Sequence, residues 1–100
     1  MYIIDILIKT EKLSDQQLKV LLEKHQAWFG KCFEQGTFLL VGPYLNRGAS
    51  GVILAQTESR AALDKILAED AFYADGLATY IVHEFKAATI AANIGEYQGK

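Results

Sequence analysis

His25 and Asp70 are the two side chains that could together move a proton. A carboxylate can hold an imidazole in one tautomer and leave its other ring nitrogen free to act as acid or base. The case for His25 starts from helical periodicity. At about 100° per residue, Leu18, Leu21, Leu22, Trp28, Phe29, Cys32 and Phe33 all lie within about 80° of it. The imidazole is therefore expected to point inward, away from Lys19, Glu23 and Lys31. An inward histidine needs a polar partner, because a buried group without a hydrogen bond costs about 1–3 kcal/mol. Asp70 is the best candidate, continuing the inner face of a second helix one turn beyond Ile66 and Leu67. The helix dipole disfavours a carboxylate at that C-terminal end, and an imidazole N–H would compensate. The plain alternative is a satisfied core histidine with no chemistry, the commoner fate of a lone histidine on an apolar face.

The remaining polar candidates are weaker. Arg47 and Ser50 lie in the loop after Val41-Gly42-Pro43 and could hold a substrate carboxylate, though a solvated loop arginine is the simpler reading. Gly42, with Pro43, is expected to shape a turn at the mouth of a pocket. No helix N-terminus with a lysine follows it, so it is not a phosphate-cradling loop. Asp5 could reach the same cavity or hydrogen-bond at a seam between subunits. His83 falls on a strand face that need not meet His25, so no metal site is expected, and no cofactor. Cys32 lies on the apolar stripe and reads as a small core residue.

These residues are carried by six elements. Met1–Lys9 is β-branched and short, hence a strand, with Tyr2, Ile4, Ile6 and Ile8 on one face and Ile3, Asp5, Leu7 and Lys9 on the other. Ser14 caps a long helix that runs to Gly36. Gln17 completes the capping box and the glycine serves as a left-handed C-cap. Thr37–Pro43 and Gly51–Gln56 read as two strands of a hairpin around the Tyr44–Ser50 loop. A second helix is expected over Thr57–Asp70, capped by Thr57 or Ser59, then a turn, then a fourth strand at Ala78–Phe85. Lys86–Lys100 is alanine-rich and poorly patterned, a tail or short helix packing on the body or on a second subunit. The organisation is thus a domain at 1–86 and a tail at 87–100.

This βαββαβ order is α+β and ferredoxin-like, a four-stranded antiparallel sheet with both helices on one face. The other face should carry Ile3, Asp5 and Leu7 with Leu39, Val41, Ile53, Ala55, Ile81, His83 and Phe85. That is too apolar for water, and a second copy is the simplest cover, giving a dimeric α+β barrel. One hundred residues, 51% of them hydrophobic, suffice for a single core. A net charge of −2 without a basic run argues against a nucleic-acid partner, as does the missing aromatic and basic sheet motif. No apolar run reaches the roughly 18 residues of a membrane span. The N-terminal stretch carries Asp5 and no cationic leader, and the lone cysteine fits a reducing compartment, so a cytoplasmic protein is expected.

The order and spacing of His25, Gly36, Val41-Gly42-Pro43, Asp70-Ala71-Phe72, Gly76 and Tyr80-Ile-Val-His-Glu-Phe85 resemble the YCII-related (YciI-like) family over residues 1 to 86. The resemblance implies dimers of the α+β barrel type, similar in architecture to muconolactone isomerases, with a histidine–aspartate pair in a pocket. Those two positions fall on His25 and Asp70. One member of that family removes chloride from a chlorinated muconolactone. Proline usually follows the family's aspartate, where this chain has Ala71. The leading expectation is a small cofactor-free isomerase or lyase moving a proton on a small organic acid or lactone, as a homodimer or a higher assembly. The competing readings are a dimeric module that binds a small ligand without turnover and a haem-binding barrel, which a visible absorption band would reveal.

Overall fold

A computed structural model describes all residues, 1–100. The elements are β1 (Tyr2–Ile8), α1 (Asp15–Glu34), β2 (Phe38–Pro43), β3 (Ser50–Ala55), α2 (Arg60–Leu67) and β4 (Ala78–Glu84). All ladders are antiparallel, in the sheet order β2-β3-β1-β4. This is the ferredoxin-like α+β arrangement, the protomer fold of the dimeric α+β barrel type. No helix is long and apolar enough to cross a membrane.

Local chemistry sets the limits of α1. Ser14 accepts from the Gln17 amide while the Gln17 side chain accepts from the Ser14 amide, so both halves of the capping box are made. At the other end Gly36 adopts φ +75°, and Thr37 N–H reaches back to the Cys32 carbonyl while Gly36 N–H reaches that of Phe33. This is a Schellman stop, and its left-handed residue favours glycine. The shorter α2 starts at Ser59, whose hydroxyl accepts from the Ala62 amide. It ends at Leu67, so Asp70 belongs to the turn after the helix and not to the helix itself.

The core lies between the helices and one sheet face. Tyr2, Ile4 and Ile6 of β1 pack with Trp28 and Cys32 of α1, Leu63 and Leu67 of α2, and Phe38, Ile53 and Ala55. Burial pushes the Cys32 thiol up, with the nearby Glu69 charge adding to it, as suits a packing residue. Trp28 Nε1–H donates to the Ile66 carbonyl at 3.1 Å and ties α1 to α2. Phe33, expected inward, is exposed: it sits at the margin of the helical stripe.

Two strands present a different face from the one expected. Ile53 and Ala55 stand opposite Ile4 and Tyr2 and are buried under the helices. Val41 pairs with Ile53 and also packs on the core. In β3 the pairing with β1 sets the face; in β2 the reason is a bulge, for Phe38 opposes Ala55 but Leu40 opposes Leu54, leaving Leu39 as the extra residue that inverts the parity. The open face carries Ile3, Asp5, Leu7, Leu40, Leu54 and Ile81, with Leu7 and Ile81 each 51% exposed. Beyond Phe85 the chain is almost wholly exposed, with one 3₁₀ turn at Ile94–Tyr97.

Candidate functional site

The midpoint of α1 lies over the sheet, and His25 occupies its inner side at 6% exposure. The ring sits among aromatics: Phe29 at 4.3 Å between centroids, Phe72 edge-on at 5.2 Å, and Trp28 at 5.7 Å. Across from it the turn after α2 presents Asp70, whose amide donates to the Leu67 carbonyl and whose carbonyl accepts from the Tyr73 amide. These backbone hydrogen bonds hold the turn that carries the carboxylate.

His25 Nδ1 and Asp70 Oδ1 are 2.6 Å apart, with the carboxylate side chain fully buried. Tyr80 donates its hydroxyl to the other oxygen, Oδ2, at 2.6 Å, and the Phe72 amide leans on Oδ1 at 3.4 Å. A carboxylate is an acceptor, so its short bond to Nδ1 puts the ring proton on that nitrogen and leaves the Nε2 lone pair uncommitted. Nε2 makes no hydrogen bond within the chain. Burial, followed by the bond to Asp70 and its charge, pushes the Tyr80 phenol far up, so Tyr80 stays a donor.

Tyr80 is the residue the sequence reading missed. It stands opposite Ile6 on the helix-facing side of β4, between Ala78 and Val82. A lone phenol in an otherwise apolar stripe was the available signal, since a buried tyrosine hydroxyl needs an acceptor.

His25 borders a cavity of about 420 Å³ between α1 and the sheet. Its apolar wall includes Ile6, Ile8, Leu22, Phe29, Val41 and Ile53, and Gln26 adds a second polar side chain. Gly42 and Ser50 border it too, where β2 and β3 run close together. A Cβ on Gly51 would meet the Gly42 carbonyl oxygen at 2.8 Å, so only glycine allows that approach. Ser50 stands opposite Leu7 at the start of β3. Its hydroxyl is buried without a partner.

Two expected site residues are not brought to His25. Asp5 shares the open face with Ile3 and Leu7, across the sheet from the cavity, and accepts a hydrogen bond from the Tyr44 hydroxyl. Arg47 is exposed in the β2–β3 loop with its guanidinium 5.3 Å from the Tyr44 ring centroid, a cation–π seat that leaves the cavity wall without it. His83 is exposed on the open face opposite Ile3, so the two histidines lie on opposite sides of the sheet.

Known structures share this architecture. 5-Chloro-2-hydroxyhydroquinone dehydrochlorinase from Burkholderia phenoliruptrix AC1100, solved in complex with 2,5-dihydroxybenzoquinone, superposes with a TM-score of 0.60 at 18% identity, over 86% of this chain and 94% of that one. An antibiotic biosynthesis monooxygenase superposes with a TM-score of 0.52 at 13% identity, over 86% of this chain and 99% of the other. No curated protein matches the sequence. The family model of the YCII-related domain matches residues 2–86. The chain therefore belongs to the YCII-related domain family.

Proposed function

We propose that this protein is a small enzyme that moves a proton on a small carbonyl compound, with His25 as acid and base and Asp70 as the group that orients it. One observation carries this reading: a buried imidazole that borders a cavity holds a carboxylate through Nδ1 at 2.6 Å and has no hydrogen-bond partner in the chain at Nε2. In the forward step Nε2 takes a proton from the carbon beside the substrate carbonyl, and the electron pair passes to the carbonyl oxygen as an enolate. Returning the proton at another carbon gives an isomerase. Expelling halide or another leaving group from the enolate gives a lyase, with one proton and one anion released and no change of oxidation state. The fold shared with a dehydrochlorinase supports a reaction of this kind, and belonging to the YCII-related family supports a small-molecule enzyme.

The working unit is proposed to be a homodimer formed through the open sheet face, which exposes Leu7, Leu40 and Ile81 and carries the Asp5–Tyr44 pair. A cytoplasmic setting suits the single buried thiol of Cys32.

The test is a screen of lactones and quinones, followed by His25→Asn. Turnover should fall by about 10²–10⁴-fold, with the circular dichroism spectrum and ligand affinity retained. A variant that turns over at the wild-type rate sinks the reading. Binding without turnover in either protein would favour a ligand-binding module instead.

A further inference from the structure

The cavity wall also limits the charge its occupant can carry. The polar residues that border it are His25, Gln26 and Ser50, and no lysine or arginine does. Arg47, the one basic residue of the adjoining loop, is seated on Tyr44. A carboxylate placed here would lose part of its hydration and meet no cation to offset the loss. Protonation of His25 does not supply one. An imidazolium there would face the Asp70 carboxylate at 2.6 Å, so the pair would carry a net charge of zero and offer no uncompensated cation. The remaining surface suits a flat apolar body: Phe29 lies beside the imidazole, with Val41 and Ile53 on the sheet side.

We infer that the cavity takes an uncharged ring-sized carbonyl or phenol compound, such as an unsubstituted unsaturated lactone or a hydroquinone, and discriminates against the same ring bearing a carboxylate. This narrows the reading above and rests on it for the part His25 plays. It gives Arg47 and Ser50 no carboxylate to hold.

The experiment uses two matched pairs on the full chain at neutral pH, followed by amide NMR shifts. The first pair is hydroquinone and 2,5-dihydroxybenzoate. The second is an unsaturated five-membered lactone without and with a carboxymethyl group. The neutral members should shift Val41, Gly42 and Gly51 saturably, and their carboxylate counterparts should bind at least about tenfold more weakly. Gln26→Lys, a change at a solvent-exposed position on the cavity rim, should narrow or invert that ratio. Carboxylates that bind as tightly as their neutral partners overturn the inference, as does the absence of cavity shifts from any of the four. Deuterium uptake from solvent beside the lactone carbonyl reads the proton transfer separately. Selective binding with no His25-dependent uptake would keep the charge preference and discard the chemistry.

Discussion

The two faces of the sheet each hold a tyrosine hydroxyl on an aspartate, and the two pairs live differently. Under the helices, Tyr80 and Asp70 are joined by His25 and enclosed by aromatic rings. On the open face, no third group hydrogen-bonds the Tyr44–Asp5 pair: Arg47 lies over the Tyr44 ring, and half-exposed aliphatic residues share the face. The causes acting on the two phenols record the contrast. Burial comes first in raising Tyr80, whereas for Tyr44 the bond to Asp5 itself comes first. The same two functional groups thus make a buried, fully partnered network under the helices, and a polar spot within a half-exposed apolar surface on the other side.

The strongest way to break this contrast is to delete each carboxylate in turn. Asp70→Ala strands the Nδ1–H and the Tyr80 hydroxyl, and should cost about 3 kcal/mol in urea denaturation. Asp5→Ala should cost less than about 1 kcal/mol in the same measurement. Equal losses would mean that the faces do not differ in the way described.

Charge on the open face should act on assembly instead. Leu7→Asp together with Ile81→Asp is expected to convert dimer to monomer by sedimentation while leaving the His25 ring signals in place. His25→Asn should leave the sedimentation unchanged.

Tyr80→Phe is milder, at about 1 kcal/mol for one hydrogen bond, and its signature is alkaline. A phenol raised in the folded state contributes stability that is fully present below the unfolded tyrosine pKa of about 10, and loses it as pH rises through the folded value. The wild type should therefore lose stability above about pH 10 more steeply than the variant, although Tyr2 and Tyr44, also raised, remain in both. The same variant should let the His25 tautomer balance relax toward Nε2–H, visible in the imidazole nitrogen shifts. The smallest effect belongs to Tyr44→Phe, which should leave those shifts where they are.

Much of the helix-side face was legible in the sequence because its signals are local or periodic. The Ser14–Gln17 box, the Gly36 stop and the inward phase of His25 each depend on residues within a few turns of one another. The strands were harder to place. β3 reads Ser-Gly-Val-Ile-Leu-Ala, apolar on both faces, so nothing in its alternation says whether Ile53 or Leu54 faces the helices; pairing with β1 decides it. The bulge at Leu39 leaves no mark in a run of leucines and valine. Asp70 was found for a partly mistaken reason, since α2 stops before it and the turn, not a helix dipole, presents the carboxylate. Tyr80 is ten residues from Asp70 in the chain and meets it only because the strand returns beneath the turn.

Trp28, which links the helices through the Ile66 carbonyl, is also the only tryptophan in the chain. It lies 5.7 Å from His25 and 5.3 Å from Phe29, which lines the cavity. The protein therefore carries its own fluorophore beside the proposed site, and quenching or a spectral shift on titration offers a label-free optical assay for occupants before any reaction is known.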